Sequence, residues 1–362
     1  MVVKIGINGF GRIGRVTYRA ILEKNGAQNG AQNGAQVVAV NDLADSDTLA
    51  HLLRYDSLYG TMPGEITGGD HAIWVDGRKI HTFQEKNPEQ IPWGQLGVDI
   101  VVEATGIFRD RESAGKHLQA GAAGVIVTAP MKDPDLTVVM GVNHEQFHPG
   151  KHRVVSNASC TTNALAPVAK VLHRHFGLLK GLMNTTHAYT NDQRLLDFPH
   201  DDLRRARAAF LSLIPTTTGA ARAVGEVLPE LKGRIDGFAV RVPTPTVSLL
   251  DLVVLLEKET TPEEINEAFR QSASEMGVPD ILSVSQEPLV SIDYKRSPYS
   301  SVVDALSTMV VDGNMARVVS WYDNEWSYSC RVADLAIYMK KREMEEKEAV
   351  GAGKKHEHFP VE

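Results

Sequence analysis

Val2-Val3-Lys4-Ile5-Gly6-Ile7-Asn8-Gly9-Phe10-Gly11-Arg12-Ile13-Gly14-Arg15 opens the chain and decides its fold. Residues 2–7 read as a short buried strand. Glycines follow at positions 9, 11 and 14. A helical pattern then runs through Val16, Tyr18, Ala20, Ile21 and Leu22. The glycines permit a tight turn and close backbone approach to a pyrophosphate. The helix N-terminus adds free N–H groups and a partial positive charge. A glycine triplet alone marks only a turn; the strand before it and the helix after it make it a phosphate loop.

An acid at the end of the second strand is the expected partner of such a loop. Val37-Val38-Ala39-Val40 runs into Asn41-Asp42, and Asp42 stands 28 residues after Gly14. The usual spacing is about 20. Residues 25–36 hold Asn-Gly-Ala-Gln three times over, and two copies account for the excess. Asn-Gly favours turns and offers nothing to a core, so the repeat reads as a tolerated surface expansion rather than a partner-binding loop. Asp42 would accept bonds from ribose hydroxyls and repel a 2′-phosphate, which favours NAD over NADP. Its plainer reading is a turn-forming Asn-Asp pair.

Further strand-like runs at residues 100–102 and 125–127 alternate with helical stretches at 46–53 and 111–120, which implies a doubly wound parallel sheet. The pattern changes near residue 158. A helix over 163–176 is followed by longer strands at 238–242, 247–256 and 316–321, with a helix at 262–276. That is an antiparallel or mixed sheet with helices on one face. Residues 331–347 are again helical, and 351–362 form a polar tail.

The chain has 362 residues, enough for two cores, and 43% of them are hydrophobic. A net charge of −7 gives no electrostatic help with nucleic acid or an anionic membrane, so neither is an expected partner. Two cysteines build no disulfide framework, which points to a reducing compartment, the cytoplasm. The N-terminus shows no apolar signal segment, and no run approaches the roughly 18 apolar residues of a membrane span.

Cys160 sits in Ser156-Asn157-Ala158-Ser159-Cys160-Thr161-Thr162-Asn163. Its neighbours offer hydrogen bonds, not the apolar packing of an inert thiol. It reads as a nucleophile that a helix terminus or a cation must activate. His187, in Asn184-Thr185-Thr186-His187-Ala188-Tyr189-Thr190, closes an apparent strand and is the candidate base, although a structural histidine is the plainer account. His144-Glu145-Gln146-Phe147-His148 fits a zinc-protease pattern, but Pro149-Gly150 would end the required helix and no third ligand follows, so no metal is expected. Thr216-Thr217-Thr218-Gly219-Ala220-Ala221 opens a helix with hydroxyls and a glycine, a seat for an anion. Arg204-Arg205-x-Arg207 and Arg241 supply guanidinium groups suited to phosphate, while a solvated helix face also explains the first three.

Together these residues resemble the phosphorylating glyceraldehyde-3-phosphate dehydrogenases over nearly the whole chain, from Ile5 to about Tyr338. The motifs are Asn8–Arg15, the octet around Cys160, Thr190-Asn191-Asp192-Gln193, Arg241-Val242-Pro243-Thr244 and Trp321-Tyr322-Asp323-Asn324-Glu325. The resemblance implies Cys160 as nucleophile and His187 as base. Gly9, Gly11, Arg12, Ile13, Gly14, Asp42, Lys86, Thr128 and Asn324 match NAD contacts. Thr190, Asp192 and Arg241 match a substrate-phosphate site, and Ser159, Thr161, Arg205, Thr218 and Gly219 an inorganic-phosphate site.

The implied fold is α/β: an N-terminal doubly wound Rossmann domain and an α+β catalytic domain with a mostly antiparallel sheet. Residues 1–158 with 323–362 form the NAD-binding domain, to which the C-terminal helix returns, and 159–322 form the catalytic domain. The implied reaction turns glyceraldehyde 3-phosphate and inorganic phosphate into 1,3-bisphosphoglycerate through a cysteine thioester, in glycolysis and in a homotetramer. Erythrose-4-phosphate dehydrogenase on the same scaffold and a non-catalytic nucleotide-binding scaffold are the alternatives. Ala164 stands where the family often has a second cysteine, Phe198-Pro199 where NAD users often have Leu-Pro, and Ser327 where glycine is common.

Overall fold

Strand Val2–Asn8 lies at the middle of a nine-stranded sheet. Gly34–Asn41 pairs with it in parallel on one side and Ile100–Glu103 on the other. Beyond them run Arg78–Phe83 on the first side and Gly124–Val127, Val154–Ser156 and Leu136–Thr137 on the second, all parallel. Helices cover both faces, which is why the strands Ile100–Glu103 and Gly124–Val127 are buried along their whole length. Val125 and Val127 pack with Ala114 of helix Arg111–Gln119, while Ile126 and Val155 turn into the main core. The computed structural model describes residues 2–27 and 34–351. Residues 28–33, the middle half of the repeat at 25–36, and residues 352–362 of the tail lie outside the described residues.

The sheet is not wholly parallel. Ile66–Gly69 and Ala72–Val75 pair antiparallel at one edge, and Ala72–Val75 pairs antiparallel with Arg78–Phe83. Asp76 and Gly77 join the second pair with φ of 48° and 74°. Asp-Gly favours that two-residue turn, whose twist matches the strands it connects.

The second sheet has the order Ile214–Thr217, Ile235–Val242, Leu178–Ala188, Ser248–Leu256, Met315–Tyr322, Ser301–Asp304, Leu282–Ser285. Its pairings are mostly antiparallel. The two parallel ones join Leu178–Ala188 to Ile235–Val242 and Leu282–Ser285 to Ser301–Asp304. Helices Cys160–Phe176, Ala220–Val227 and Pro262–Ala273 bury their apolar residues with this sheet. Leu182, Phe238 and Val253 are exposed on its strands.

Three helix boundaries matter. The helix expected over 163–176 begins at Cys160 instead, because Ser159 caps it by accepting the Thr162 N–H at 3.0 Å. The last helix, Trp326–Gly351, starts before the expected 331, packs on helix Arg12–Ala27 and touches the first sheet. Trp326 and Cys330 lie there against Val16, Ala20 and Tyr59. At the zinc-like motif, His144–Gln146 is a single 3₁₀ turn, with His144 buried and His148 exposed, so the two rings do not share a helix face. Among the described residues no three His, Cys, Asp or Glu side chains group as metal ligands, and no helix is long and apolar enough to cross a membrane.

Candidate active site

The turn after strand Val2–Asn8 is glycine by necessity. Gly9 has φ of 90°, and a Cβ there would lie 2.6 Å from the Thr105 nitrogen. A Cβ on Gly14 would meet the Gly9 carbonyl oxygen at 2.2 Å, whereas one on Gly11 would meet nothing within 4 Å. The first and third glycines therefore serve close packing, and the second faces open space. Helix Arg12–Ala27 begins at this point, presenting the N–H groups of its first turn. Asp42 follows strand Gly34–Asn41 and accepts the Phe10 N–H at 2.8 Å, so it braces the same loop. This donor-rich, side-chain-free cradle fits a dinucleotide pyrophosphate.

The Arg12 guanidinium reaches Asp56 at 2.5 Å and also pairs with Glu325. It ties the first helix to the segment after strand Met315–Tyr322, which leaves the Arg12 and Ile13 backbone as the loop's contribution. Lys86 is exposed, in the segment after strand Arg78–Phe83. Thr128 stands just past Gly124–Val127, with its N–H and hydroxyl both donating to the Glu103 carbonyl at 3.0 and 3.1 Å.

Cys160 enters from the same carboxyl edge, four residues after strand Val154–Ser156 ends. Ala158, between them, holds φ of 53°, and its carbonyl accepts the Tyr328 hydroxyl at 3.1 Å. This bend starts the helix so that the thiol lies at its positive end. Cys160 Sγ is 3.4 Å from His187 Nε2. His187 is the next-to-last residue of Leu178–Ala188 and stands opposite Arg241 in the parallel register with Ile235–Val242. Arg241 Nη1 lies 2.6 Å from His187 Nδ1 and 3.0 Å from the Ala188 carbonyl, which itself lies 2.7 Å from Nδ1. Nδ1 thus meets a donor and an acceptor, and the ring has a partner in either tautomer.

Burial pushes the Cys160 thiol up, opposed by Arg241 and by hydrogen bonds from Thr161. Burial and then Arg241 push His187 down to about 3. Both shifts say that this pocket resists an isolated charge. A thiolate facing an imidazolium carries no net charge, so proton transfer across 3.4 Å avoids most of that cost.

Tyr322 escaped the sequence reading. Its hydroxyl bonds Thr161 Oγ1 at 2.9 Å and Thr185 Oγ1 at 2.8 Å, and its ring meets His187 edge-on with centroids 6.0 Å apart. It links the helix that starts at Cys160 to the strand bearing His187. The sequence signal was its place beside Asn324 in Trp321–Glu325. Ser248 was also missed. Its hydroxyl accepts from Ala188 N–H and donates to Asn324 Oδ1, at 3.2 and 3.1 Å.

Among the candidate anion residues, the segments 190–193 and 216–219 meet through Arg205. Thr190 closes a turn with Gln193, whose side-chain oxygen accepts the Thr190 N–H at 3.1 Å. Arg205, not Arg204 or Arg207, reaches inward: it pairs with Asp192, donates to Thr216 Oγ1 at 2.9 Å and to the Thr217 carbonyl at 3.4 Å. Arg207 pairs with Asp197 instead. Arg205 holds the Asp192 carboxyl below its usual range against the opposing effect of burial. Gly219 opens helix Ala220–Val227, and nothing stands within 4 Å of where its Cβ would be. Ser159 Oγ accepts the capping bond from Thr162, and Thr161 bonds Tyr322.

Two family models match this chain: the glyceraldehyde 3-phosphate dehydrogenase NAD binding domain over residues 3–111, and the C-terminal domain of the same family over 159–324. Glyceraldehyde-3-phosphate dehydrogenase of Geobacillus stearothermophilus is 58% identical, over 94% of this chain and 98% of the relative. Glyceraldehyde-3-phosphate dehydrogenase 1 of Bacillus cereus is 56% identical, over 93% and 98%. The chloroplastic glyceraldehyde-3-phosphate dehydrogenase A of Zea mays is 52% identical, over 92% and 81%. A thiol–imidazole pair beside a dinucleotide cradle, with sequence agreement across both sheets, leaves one conclusion: the chain belongs to the glyceraldehyde 3-phosphate dehydrogenase family.

Proposed function

We propose that this chain oxidises D-glyceraldehyde 3-phosphate to 1,3-bisphosphoglycerate, using NAD as hydride acceptor and inorganic phosphate as acyl acceptor. The observation that carries the reading is Cys160 Sγ at 3.4 Å from His187 Nε2, at a helix N-terminus on the edge that also bears the glycine turn. The thiol passes its proton to Nε2, and the thiolate attacks the aldehyde carbon. The Cys160 N–H and the imidazolium face the oxygen as it gains charge. The imidazolium gives its proton to that oxygen, making a hemithioacetal hydroxyl, and neutral His187 takes the proton back while the carbon loses a hydride. NAD, when bound, accepts that hydride. A phosphate oxygen next attacks the thioester carbon, the C–S bond breaks, and the thiolate returns.

Gly9, Gly11, Gly14, the Arg12 and Ile13 backbone, Asp42, Lys86, Thr128 and Asn324 would hold the dinucleotide. Thr190 and Arg241 would hold the substrate phosphate, and Asp192 beside them would orient Arg205 rather than touch an anion. Ser159, Thr161, Arg205, Thr218 and Gly219 would hold inorganic phosphate. A phosphate on Arg241 offsets the charge that depresses His187, so substrate binding strengthens the base.

Residues 1–158 and 323–362 make the cofactor domain in this reading, and 159–322 the catalytic one. A homotetramer accounts for Leu195, Leu196, Phe198, Leu203, Leu211 and Leu213, all at least 64% exposed within one segment. Two free thiols suit the cytoplasm.

The test is a rate comparison of glyceraldehyde 3-phosphate with erythrose 4-phosphate, on NAD and NADP, with and without phosphate. Phosphate-dependent NADH formation from the triose is expected. Faster phosphate-independent oxidation of the tetrose would overturn the reading.

A further inference from the structure

Beneath the glycine turn lies a carboxylate that the chemistry above does not use. Glu103 ends strand Ile100–Glu103 and is 1% exposed. Its Oε1 accepts the Thr105 N–H at 2.8 Å and the Thr105 hydroxyl at 2.5 Å. Its Oε2 accepts the Asn8 amide at 2.5 Å and faces His117 Nε2 at 3.0 Å. The Trp93 indole N–H donates to His117 Nδ1 at 3.0 Å, and an indole nitrogen only donates. The His117 proton therefore sits on Nε2 and points at Glu103. Four donors converge on one carboxylate.

Asn8 carries this constraint onward. Its Oδ1 accepts from Asn41 Nδ2 at 2.8 Å, and the Asn41 side chain bonds both the N–H and the carbonyl of Glu85 at 2.8 Å. The Gly9 N–H donates to the Asn41 carbonyl at 2.8 Å, and Gly9 packs directly on Thr105. One buried carboxylate thus ties together the Gly9 turn, the segment around Glu85 and the turn at Thr105. All three leave the carboxyl edge of the same sheet.

We propose that Glu103 is a positioning residue for dinucleotide binding, fixing these three loops before the cofactor arrives. The proposal rests on reading residues 9–14 as the cofactor seat. A preformed seat spares the ordering cost that loose loops would impose on binding. Glu103→Gln keeps the shape but aims an NH₂ at donors, so one side of the network must open.

The test measures NAD binding to the full chain by tryptophan fluorescence titration, with Cys160 alkylation in the absence of NAD as a second readout. Glu103→Gln is expected to weaken NAD binding about tenfold or more, the equivalent of one lost buried hydrogen bond. Alkylation of Cys160 and kcat at saturating NAD should stay within about twofold. Thr105→Val removes one hydroxyl donor and should produce a smaller loss in the same direction. An NAD affinity of Glu103→Gln within about twofold of the parent overturns the proposal. If that variant does not fold, an unchanged affinity in Thr105→Val overturns it. A parent chain that fails to bind NAD would instead refute the seat itself.

Discussion

Arg241 Nη1 stands 2.6 Å from His187 Nδ1, because two parallel strands place the residues side by side. The guanidinium lowers both the imidazole and the nearby thiol. It favours a thiolate and disfavours an imidazolium at once. Replacing Arg241 with Leu should raise KM for glyceraldehyde 3-phosphate about tenfold to a hundredfold, the range of a charge-assisted contact. It should also move the alkylation midpoint of Cys160 upward, since the cation that opposes burial is gone. Steady-state kinetics and iodoacetamide rates across pH read the two effects separately. A KM change with an unmoved alkylation midpoint would confine Arg241 to substrate binding.

His187→Asn removes the proton acceptor 3.4 Å from the thiol. Burial then raises Cys160 with no partner to share the charge. A raised thiol pKa means that thiolate forms only as pH climbs to the higher value, so alkylation at neutral pH slows. Turnover should fall about 10²–10⁴-fold, the usual contribution of a positioned base. An unchanged alkylation profile would remove His187 from activation.

Gly11 and Gly14 separate binding from folding. Gly14→Ala forces a Cβ to 2.2 Å from the Gly9 carbonyl, which should destabilise the chain by about 2–3 kcal/mol. Gly11→Ala meets nothing within 4 Å, so its thermal midpoint should hold while NAD binding weakens. Differential scanning calorimetry with an NAD titration distinguishes them. Equal loss of stability in both would mean that Gly11 also serves packing.

Tyr322→Phe deletes the hydroxyl between Thr161 and Thr185. Two buried hydroxyls lose a partner, at about 1–3 kcal/mol of stability. The Cys160 helix and the His187 strand lose a shared anchor, so kcat should fall while NAD affinity is kept. Unaltered kcat would make Tyr322 a packing residue alone.

Local pattern carried much of this protein. The apolar run 2–7, the glycine triplet and Asp42 define the strand, turn and helix at the middle of the first sheet. The hydroxyl and amide frame of Cys160 marks a candidate nucleophile, because a thiol in polar company needs a chemical reason. Asp76-Gly77 is the local signal of the hairpin that joins Ala72–Val75 to Arg78–Phe83. What local pattern cannot carry is pairing between distant segments.

His187 and Arg241 meet through strand register, Arg12 reaches Asp56 and Glu325 from distant parts of the chain, and Glu103 collects four donors from Asn8, Thr105 and His117. Periodicity states which face of an element is buried, but not what the buried face will touch. Sequence alone established the alternation of strands and helices and pointed to Cys160 as the candidate nucleophile. Only the tertiary structure chose its neighbours, because hydrogen bonds and charges act over a few ångströms of space, whatever the distance along the chain.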